Sequence, residues 1–514
     1  MSCVPGQQSR RQRMDQIRLL YVENVITRRK SGVQQSLIFF MHVQNLSYDK
    51  RIDVVWSGED GLWQTLSAAY HSKLEGDGEY WQARTDFKLS AAKSLPGNIR
   101  FGVRYQTSVA EYWDNNQGAN YSSQADSGIK VLCAAPVLNI GFANRLDDGQ
   151  KNIPITVAVD KFTDADKVTV HWTIDNWRHS HKTPCHFKRN YWDKVALSNA
   201  RNPNQYQAAI WKGWLRIGHA FRLQYSLCVE RNGQVFWDNN GGKNYSLSRE
   251  PLKVMILNLH CYQEDNQDYK FSQIAKAIDE LNADVVCLQE VAELWNDGAG
   301  DWESNSAKII NDRLAAPYHI HTDWAHLGFD KYREGVAILS KYPLLKQDAL
   351  YVSDSHDVYS IHSRKVVMAQ IKAPYIGRIN VFSAHLSWWE DGFAGQFQRL
   401  CEWAETKQSA QVNATLLCGD FNIAAGSTGY HLVVDAHQYD DQYLAANSQG
   451  VFEKIFRVND PYWQDYLSDD YRIDYVFLNK AGELRVTSAR VLFTEQDYGR
   501  VSDHCGYFMT FEPK

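Results

Sequence analysis

Two all-β sandwiches followed by an α/β domain is the multidomain architecture that the sequence predicts, and three observations predict it. The chain has 514 residues, which at about 100 to 200 residues per domain calls for about three domains. One phrase occurs twice, as Tyr112-Trp113-Asp114-Asn115-Asn116-Gln117-Gly118-Ala119-Asn120-Tyr121 and as Phe236-Trp237-Asp238-Asn239-Asn240-Gly241-Gly242-Lys243-Asn244-Tyr245, which marks a duplicated module. Past Lys253 the texture changes from short alternating runs to strands interleaved with amphipathic helices.

In chain order, residues 1–16 are polar and basic and read as a flexible tail. The first sandwich spans 17–127 and the second 137–247. Each holds period-2 runs such as Ile99-Arg100-Phe101-Gly102-Val103-Arg104-Tyr105 and Ala220-Phe221-Arg222-Leu223-Gln224-Tyr225, separated by Gly, Asn and Asp turns. About 100 residues of short strands per copy give an immunoglobulin-like sandwich. The joints Ala134-Ala135-Pro136 and Ser248-Arg249-Glu250-Pro251 are too short to act as long tethers. The α/β domain covers 252–513: 253–259 reads as a strand, 269–281 as a helix with Phe271, Ile274, Ile278 and Leu281 on one face, and 285–288 as a strand.

Composition removes several classes. With 44% hydrophobic and 22% charged residues, disorder is excluded for most of the chain. A net charge of -5 disfavours a general nucleic-acid binder without excluding a local basic groove. The nine cysteines are scattered and lack C-x-x-C spacing, so neither a disulfide framework nor a structural zinc site is expected. No run approaches the roughly 18 apolar residues of a membrane span, and no apolar signal core follows the N-terminus, so a cytoplasmic location is expected. The outlying value is the 13% aromatic content, with 17 Trp: such rings fill cores or form stacking surfaces.

The repeated phrase, preceded by a strand containing Arg-Tyr, resembles the family 21 carbohydrate-binding modules, as does the run Val43-Gln44-Asn45-Leu46-Ser47-Tyr48-Asp49-Lys50. The second copy lacks that run. The resemblance implies an α-glucan partner: glycogen, starch or maltodextrin. A glucan presents apolar sugar faces ringed by hydroxyls, so a binder needs flat rings beside amides that donate and accept. The candidates are Trp113, Asn115, Asn116, Asn120, Trp237, Asn239 and Asn240, which serve equally well as core rings and turn-holding amides. Trp63, Trp81, Trp177 and Trp192 sit in turn-rich surroundings and are expected to be exposed.

In the last half, Asn258, Gln289-Glu290, His385-Leu386, Gly419-Asp420-Phe421-Asn422, Arg472-Ile473-Asp474-Tyr475 and Ser502-Asp503-His504 follow one another at predicted strand ends. Each is weak alone; their order is specific. It resembles the endonuclease/exonuclease/phosphatase superfamily, which implies a four-layer fold, two sheets face to face with helices outside, and Mg²⁺-dependent phosphoester hydrolysis, with Mn²⁺ able to stand in. The residue types suit that chemistry, because an anionic ester needs a hard cation held by carboxylates together with donors for its oxygens. Glu290 is the expected metal carboxylate, with Asn258 beside it and Asp503 across the site. Asp420 orients or deprotonates water, Asn422 and His385 donate to the phosphoryl group, and Asp474 fixes the tautomer of His504.

Three further stretches resemble the maltose 6'-phosphate phosphatases: Asn258-Leu259-His260-Cys261-Tyr262-Gln263-Glu264, the run from Gly328 to Leu339, and His385-Leu386-Ser387-Trp388-Trp389-Glu390-Asp391. They imply a phosphorylated sugar substrate, with Trp388 and Trp389 as a stacking plate and Arg333, Arg364 and Lys365 as candidates for the phosphate dianion, Arg364 preferred for its fork. A nuclease, a sphingomyelinase-like phosphodiesterase localised to glycogen and a non-catalytic glycogen scaffold are the competing readings, since monoester and diester hydrolysis use the same core residues.

Overall fold

The computed structural model describes residues 15–74, 77–133, 135–160, 164–188, 198, 208–447 and 472–514. The chain divides into two compact units meeting at Arg249 and Glu250. Most of the expected tail, and Trp192, lie outside the described residues.

The first unit holds both sandwiches. In the first sandwich one sheet runs Gly128–Val131, Ile17–Arg29, Gly32–Gln44, Gly78–Lys88, Ala69–Lys73, and the other Trp63–Ser67, Lys50–Ser57, Ile99–Thr107, Glu111–Asp114, with Tyr121–Ser123 also on Ile99–Thr107. Alternation turns Phe39, Met41, Val54, Trp56, Phe101 and Val103 into the space between the sheets. Strand Gly128–Val131, just past the expected limit at 127, pairs with Ile17–Arg29 and belongs to this sandwich. The second copy repeats the plan: Val137–Ile140, Asn152–Asp160, Ala208–Arg216 and His186–Phe187 form one sheet, and His181–Pro184, Lys167–Thr173, Arg222–Arg231 and Gln234–Asp238 the other, with Tyr245–Ser248 on Arg222–Arg231. Trp172 is buried in its core as Trp56 is in the first.

The sandwiches share a third cluster. Tyr21, Phe40, Tyr80 and Ile129 of the first copy pack against Ile140, Ala158, Ala208 and Ile210 of the second. The Gly141 amide donates to the Tyr21 hydroxyl (3.1 Å), and His71 Nε2 bonds the Phe142 carbonyl (2.9 Å).

The second unit is two six-stranded sheets. One runs His319–Gly328, Tyr332–Ser340, Val285–Leu294, Leu252–Asn258, Gly506–Pro513, Leu484–Leu492; the other runs Lys346–Tyr351, Lys365–Ala373, Gly377–His385, Val412–Asp420, Asp474–Asn479, Tyr439–Asp441. Each contains one parallel pair, Leu252–Asn258 with Val285–Leu294 and Gly377–His385 with Val412–Asp420. Helix Gln267–Leu281 lays Phe271, Ile274 and Ile278 on the first sheet, and helix Phe393–Thr406 lays Phe393, Phe397 and Leu400 on the second. The sheets are bolted together by Gln289 Nε2, which donates to Ser383 Oγ (3.0 Å). Helix, sheet, sheet, helix are the four layers, and the parallel strands end on one rim, where such folds build sites.

Candidate active site and the repeated turn

The carboxyl ends of those strands converge. Asn258 closes the strand Leu252–Asn258, fully buried. Its Nδ2 donates to Glu290 Oε1 (2.9 Å) and Asp420 Oδ2 (3.0 Å), while its Oδ1 accepts the His260 amide (3.0 Å). Asn258 therefore ties two carboxylates from different sheets to one another. Glu290 sits where the register slips between Gln289 and Val291, in a left-handed conformation (φ 50°). A bulge re-aims one side chain out of the ladder, and a non-glycine residue held at positive φ is strain of the kind that clusters at functional sites. Burial, then the neighbouring Glu334 and Asp503 carboxylates, push the Glu290 carboxyl up to about 7.

Opposite, His504 Nδ1 bonds Asp474 Oδ2 (2.8 Å), and its Nε2 lies 3.7 Å from Asp420 Oδ2 and 3.8 Å from Asp503 Oδ1. Burial opposes charge on this ring, but Asp474, Asp503 and Asp420 outweigh it and raise it to about 10. His385, with Nε2 3.7 Å from the same Asp420 oxygen, is driven the other way. Burial, then Arg364, His326 and His504, hold it well below the usual histidine value. Arg364 lies beside it, Nη1 at 3.3 Å from His385 Nδ1 and Nε donating to Ser387 Oγ (3.3 Å). The site thus holds one cationic and one neutral imidazole on a shared aspartate, the divergence that separates acid and base roles. Asn422, also at positive φ, donates its backbone amide to Asp420 Oδ1 (2.9 Å) and its Nδ2 to the Leu386 carbonyl (2.9 Å).

Among the described residues, two groups have ligand atoms within 4.8 Å of one another: Asp420, Asp474 and His504, and His260, Glu264 and Asp503. Glu290 and Asp503 keep part of their surface open while Asn258, Asp420 and His504 are buried. Oxygen donors in excess of nearby positive charge fit a hard divalent cation. His260 and Glu264 meet Asp503 through the fold alone, since a four-residue spacing on a loop carries no signal of that approach.

The structure corrects several expectations. Arg333 is not in the carboxylate and histidine cluster: its guanidinium meets Glu293 (3.5 Å) and lies over Trp324 (4.9 Å) and Trp295 (6.0 Å). Lys365 pairs with Asp323 (3.0 Å). Trp389 is 37% exposed on the loop after His385, tilted against Phe393, whereas Trp388 is half-buried. Trp81 is no exposed plate: it packs on the first core with Nε1 donating to Glu79 (2.8 Å). Trp63 and Trp177 are exposed.

The repeated phrase folds into the same turn twice. Asn115 Oδ1 accepts the Gly118 amide (2.9 Å), Asn116 Nδ2 donates to the Asn120 carbonyl (3.3 Å), and the Tyr121 hydroxyl donates to Asp114 (2.6 Å). In the second copy Asn239 accepts from Gly242 (3.1 Å), Asn240 donates to Asn244 (3.2 Å), and Tyr245 donates to Asp238 (2.9 Å). Asn116, Asn120, Asn240 and Asn244 take positive φ, which asparagine tolerates. Each turn carries one ring outward: Trp113 is 43% exposed and Trp237 50%. The amides therefore hold the turn while the rings face solvent.

Interlocked carboxylates, amides and histidines thus stand at the strand ends of a two-sheet domain. Residues 255–504 match the model of the Endonuclease/Exonuclease/phosphatase family, and residues 15–124 and 143–248 match that of the carbohydrate/starch-binding module of family 21. The chain is 25% identical over 263 residues to the uncharacterized protein YbhP of Escherichia coli (strain K12), covering 49% of this chain and 93% of that one. It is 28% identical over 123 residues to protein phosphatase 1 regulatory subunit 3B of Mus musculus, covering 24% of this chain and 41% of that one. A solved endonuclease/exonuclease/phosphatase family protein from Leptotrichia buccalis superposes with a TM-score of 0.45 at 28% identity, covering 51% of this chain and 99% of its own. Among the described residues no helix is long and apolar enough to cross a membrane.

Proposed function

We propose that this chain is a metal-dependent sugar phosphatase that removes phosphate from a maltose, maltodextrin or glycogen phosphate ester in the cytoplasm, tethered to α-glucan by its two modules. The observation that carries the reading is the joining, in one chain, of a phosphoesterase site to two starch-binding modules. Tethering raises the local concentration of substrate without adding a contact at the site. The net negative charge of the chain weighs against a polyanionic duplex.

Glu290 and Asp503 would hold the cation, Mg²⁺ or Mn²⁺, with Asn258 bracing Glu290. When bound, the ion supplies charge that polarises a phosphoryl oxygen. Asp420 takes the proton of the attacking water on Oδ2, the oxygen that faces His504 and His385. Asp474 holds Nδ1–H of His504, so the cationic ring presents Nε2–H to developing negative charge. His385, uncharged, donates a neutral hydrogen bond, and Arg364 beside it meets the dianion with its fork. Asn422 adds a donor without adding charge.

The test is inorganic phosphate release from maltose 6'-phosphate and phosphorylated glycogen, with Mg²⁺ and then EDTA, beside plasmid DNA and sphingomyelin cleavage. Release from the sugar phosphates that EDTA and His504→Ala both abolish is the expected result. Cleavage of DNA or lipid alone would overturn the substrate and leave the metal chemistry standing.

A further inference from the structure

The catalytic domain carries an aromatic corner beside its site that the phosphate chemistry does not use. Trp295 follows the strand of Glu290, and Trp324 lies on the edge strand His319–Gly328. Their rings meet at 83° with centroids 5.7 Å apart. Tyr359 stands 6.3 Å from Trp295 and is 70% exposed. The guanidinium of Arg333 lies over both indoles of this corner, and Glu293 holds it. Glu293 is itself fixed by the Asp301 amide (3.1 Å) and Asn305 Nδ2 (3.1 Å). At Gly300 a Cβ would strike both Glu293 and Arg333, so the chain makes room for this pair with a glycine at φ +78°.

Register places the corner two strands from the bulge that carries Glu290. Trp324 pairs with Gly335, and Gly335 with Val291, the neighbour of Glu290. Two strand spacings, about 10 Å, separate Trp324 from the strand that carries Glu290.

We propose that Trp295, Trp324 and Tyr359, with Arg333 and Glu293, form a subsite for a neutral pyranose ring, the unphosphorylated residue of an oligosaccharide phosphate. This rests on the sugar phosphatase reading and names the part of the substrate that the reading leaves open. A pyranose has two apolar C–H faces and a rim of hydroxyls. An indole face meets the first, and a planar carboxylate beside a planar guanidinium meets the second. The charge decides against a nucleic-acid base. Around the corner the four acids Glu293, Asp297, Asp301 and Glu303 outnumber the two bases Arg333 and Lys308, which pair with Glu293 and Glu303, a balance that opposes a polyanionic strand and is indifferent to a neutral ring.

The experiment uses the full chain labelled with 5-fluorotryptophan, its ¹⁹F resonances for Trp295 and Trp324 assigned with Trp295→Phe and Trp324→Phe, titrated with maltotriose. Both resonances are expected to shift saturably, apart from any shift of the module tryptophans. Steady-state kinetics complete it. Trp324→Ala, and Tyr359→Ala, whose exposed ring supports no core, are expected to raise KM for maltose 6'-phosphate about tenfold with kcat within about twofold and p-nitrophenyl phosphate turnover unchanged. Maltotriose shifts confined to other tryptophans, shifts produced instead by single-stranded DNA, or an unchanged KM in both variants would overturn the subsite. Saturable maltotriose shifts at both residues, without phosphate release from any sugar ester, would keep the subsite and overturn the phosphatase reading.

Discussion

Asn258, Asp420 and His504 in the C-terminal unit are buried and bound to one another, whereas Trp113 and Trp237 in the N-terminal unit stand out from strand ends that lead into turns complete without them. The first arrangement is a network: Asn258 joins Glu290 to Asp420, and Asp420 faces both histidines, so losing one member strands the others in a low-dielectric space. The second is a scaffold with rings mounted on it. Binding by exposed rings tolerates local change, and chemistry on a buried charge cluster does not.

His504→Ala tests the contrast most severely. Phosphate release is expected to fall about 10³-fold, while co-sedimentation with glycogen stays unchanged; a parallel loss of both would erase the distinction. Asp474→Asn sharpens it through pH. The folded value of His504 is raised to about 10, so its contribution to stability is complete below the unfolded value of about 6.5 and is lost as pH rises through about 10. In metal-free protein the Tm of the wild type should decline across that window more steeply than that of Asp474→Asn, and equal slopes would refute the pairing. Trp113→Ala and Trp237→Ala should each weaken glycogen binding about tenfold, roughly 1.4 kcal/mol, with turnover on a small phosphate ester and Tm unaffected. Asn115→Ala, which removes one turn bond, is expected to cost about 0.5–1.5 kcal/mol, read by chemical denaturation; a larger loss of glycogen affinity than Trp113→Ala produces would move recognition from the ring to the amide.

Much of this was legible in the sequence. Strand alternation and the repeated phrase gave the two sandwiches, and the order of Asn258, Glu290, His385, Asp420, Asp474 and His504 gave residues that the fold brings onto one rim. Period-2 patterning reports which face a residue takes and says nothing about which chain segment covers it. For that reason the bulge at Glu290, the stacking of Arg333 on Trp295 and Trp324, and the approach of His260 and Glu264 to Asp503 had no sequence signal. Trp56, Trp113 and Trp81 are each tryptophans in strands, yet one is core, one exposed and one half-buried. Their environments come from partners distant in sequence.

The aromatic seam between the sandwiches bears on how this protein could be divided. A three-residue joint suggests beads that can be shuffled or expressed singly, but Phe40 and Tyr80 of one copy are covered by Ile140 and Ile210 of the other. Cutting at the joint would expose an oily face on each half. The duplicated pair is therefore one part to be kept whole, with two rings on a common frame.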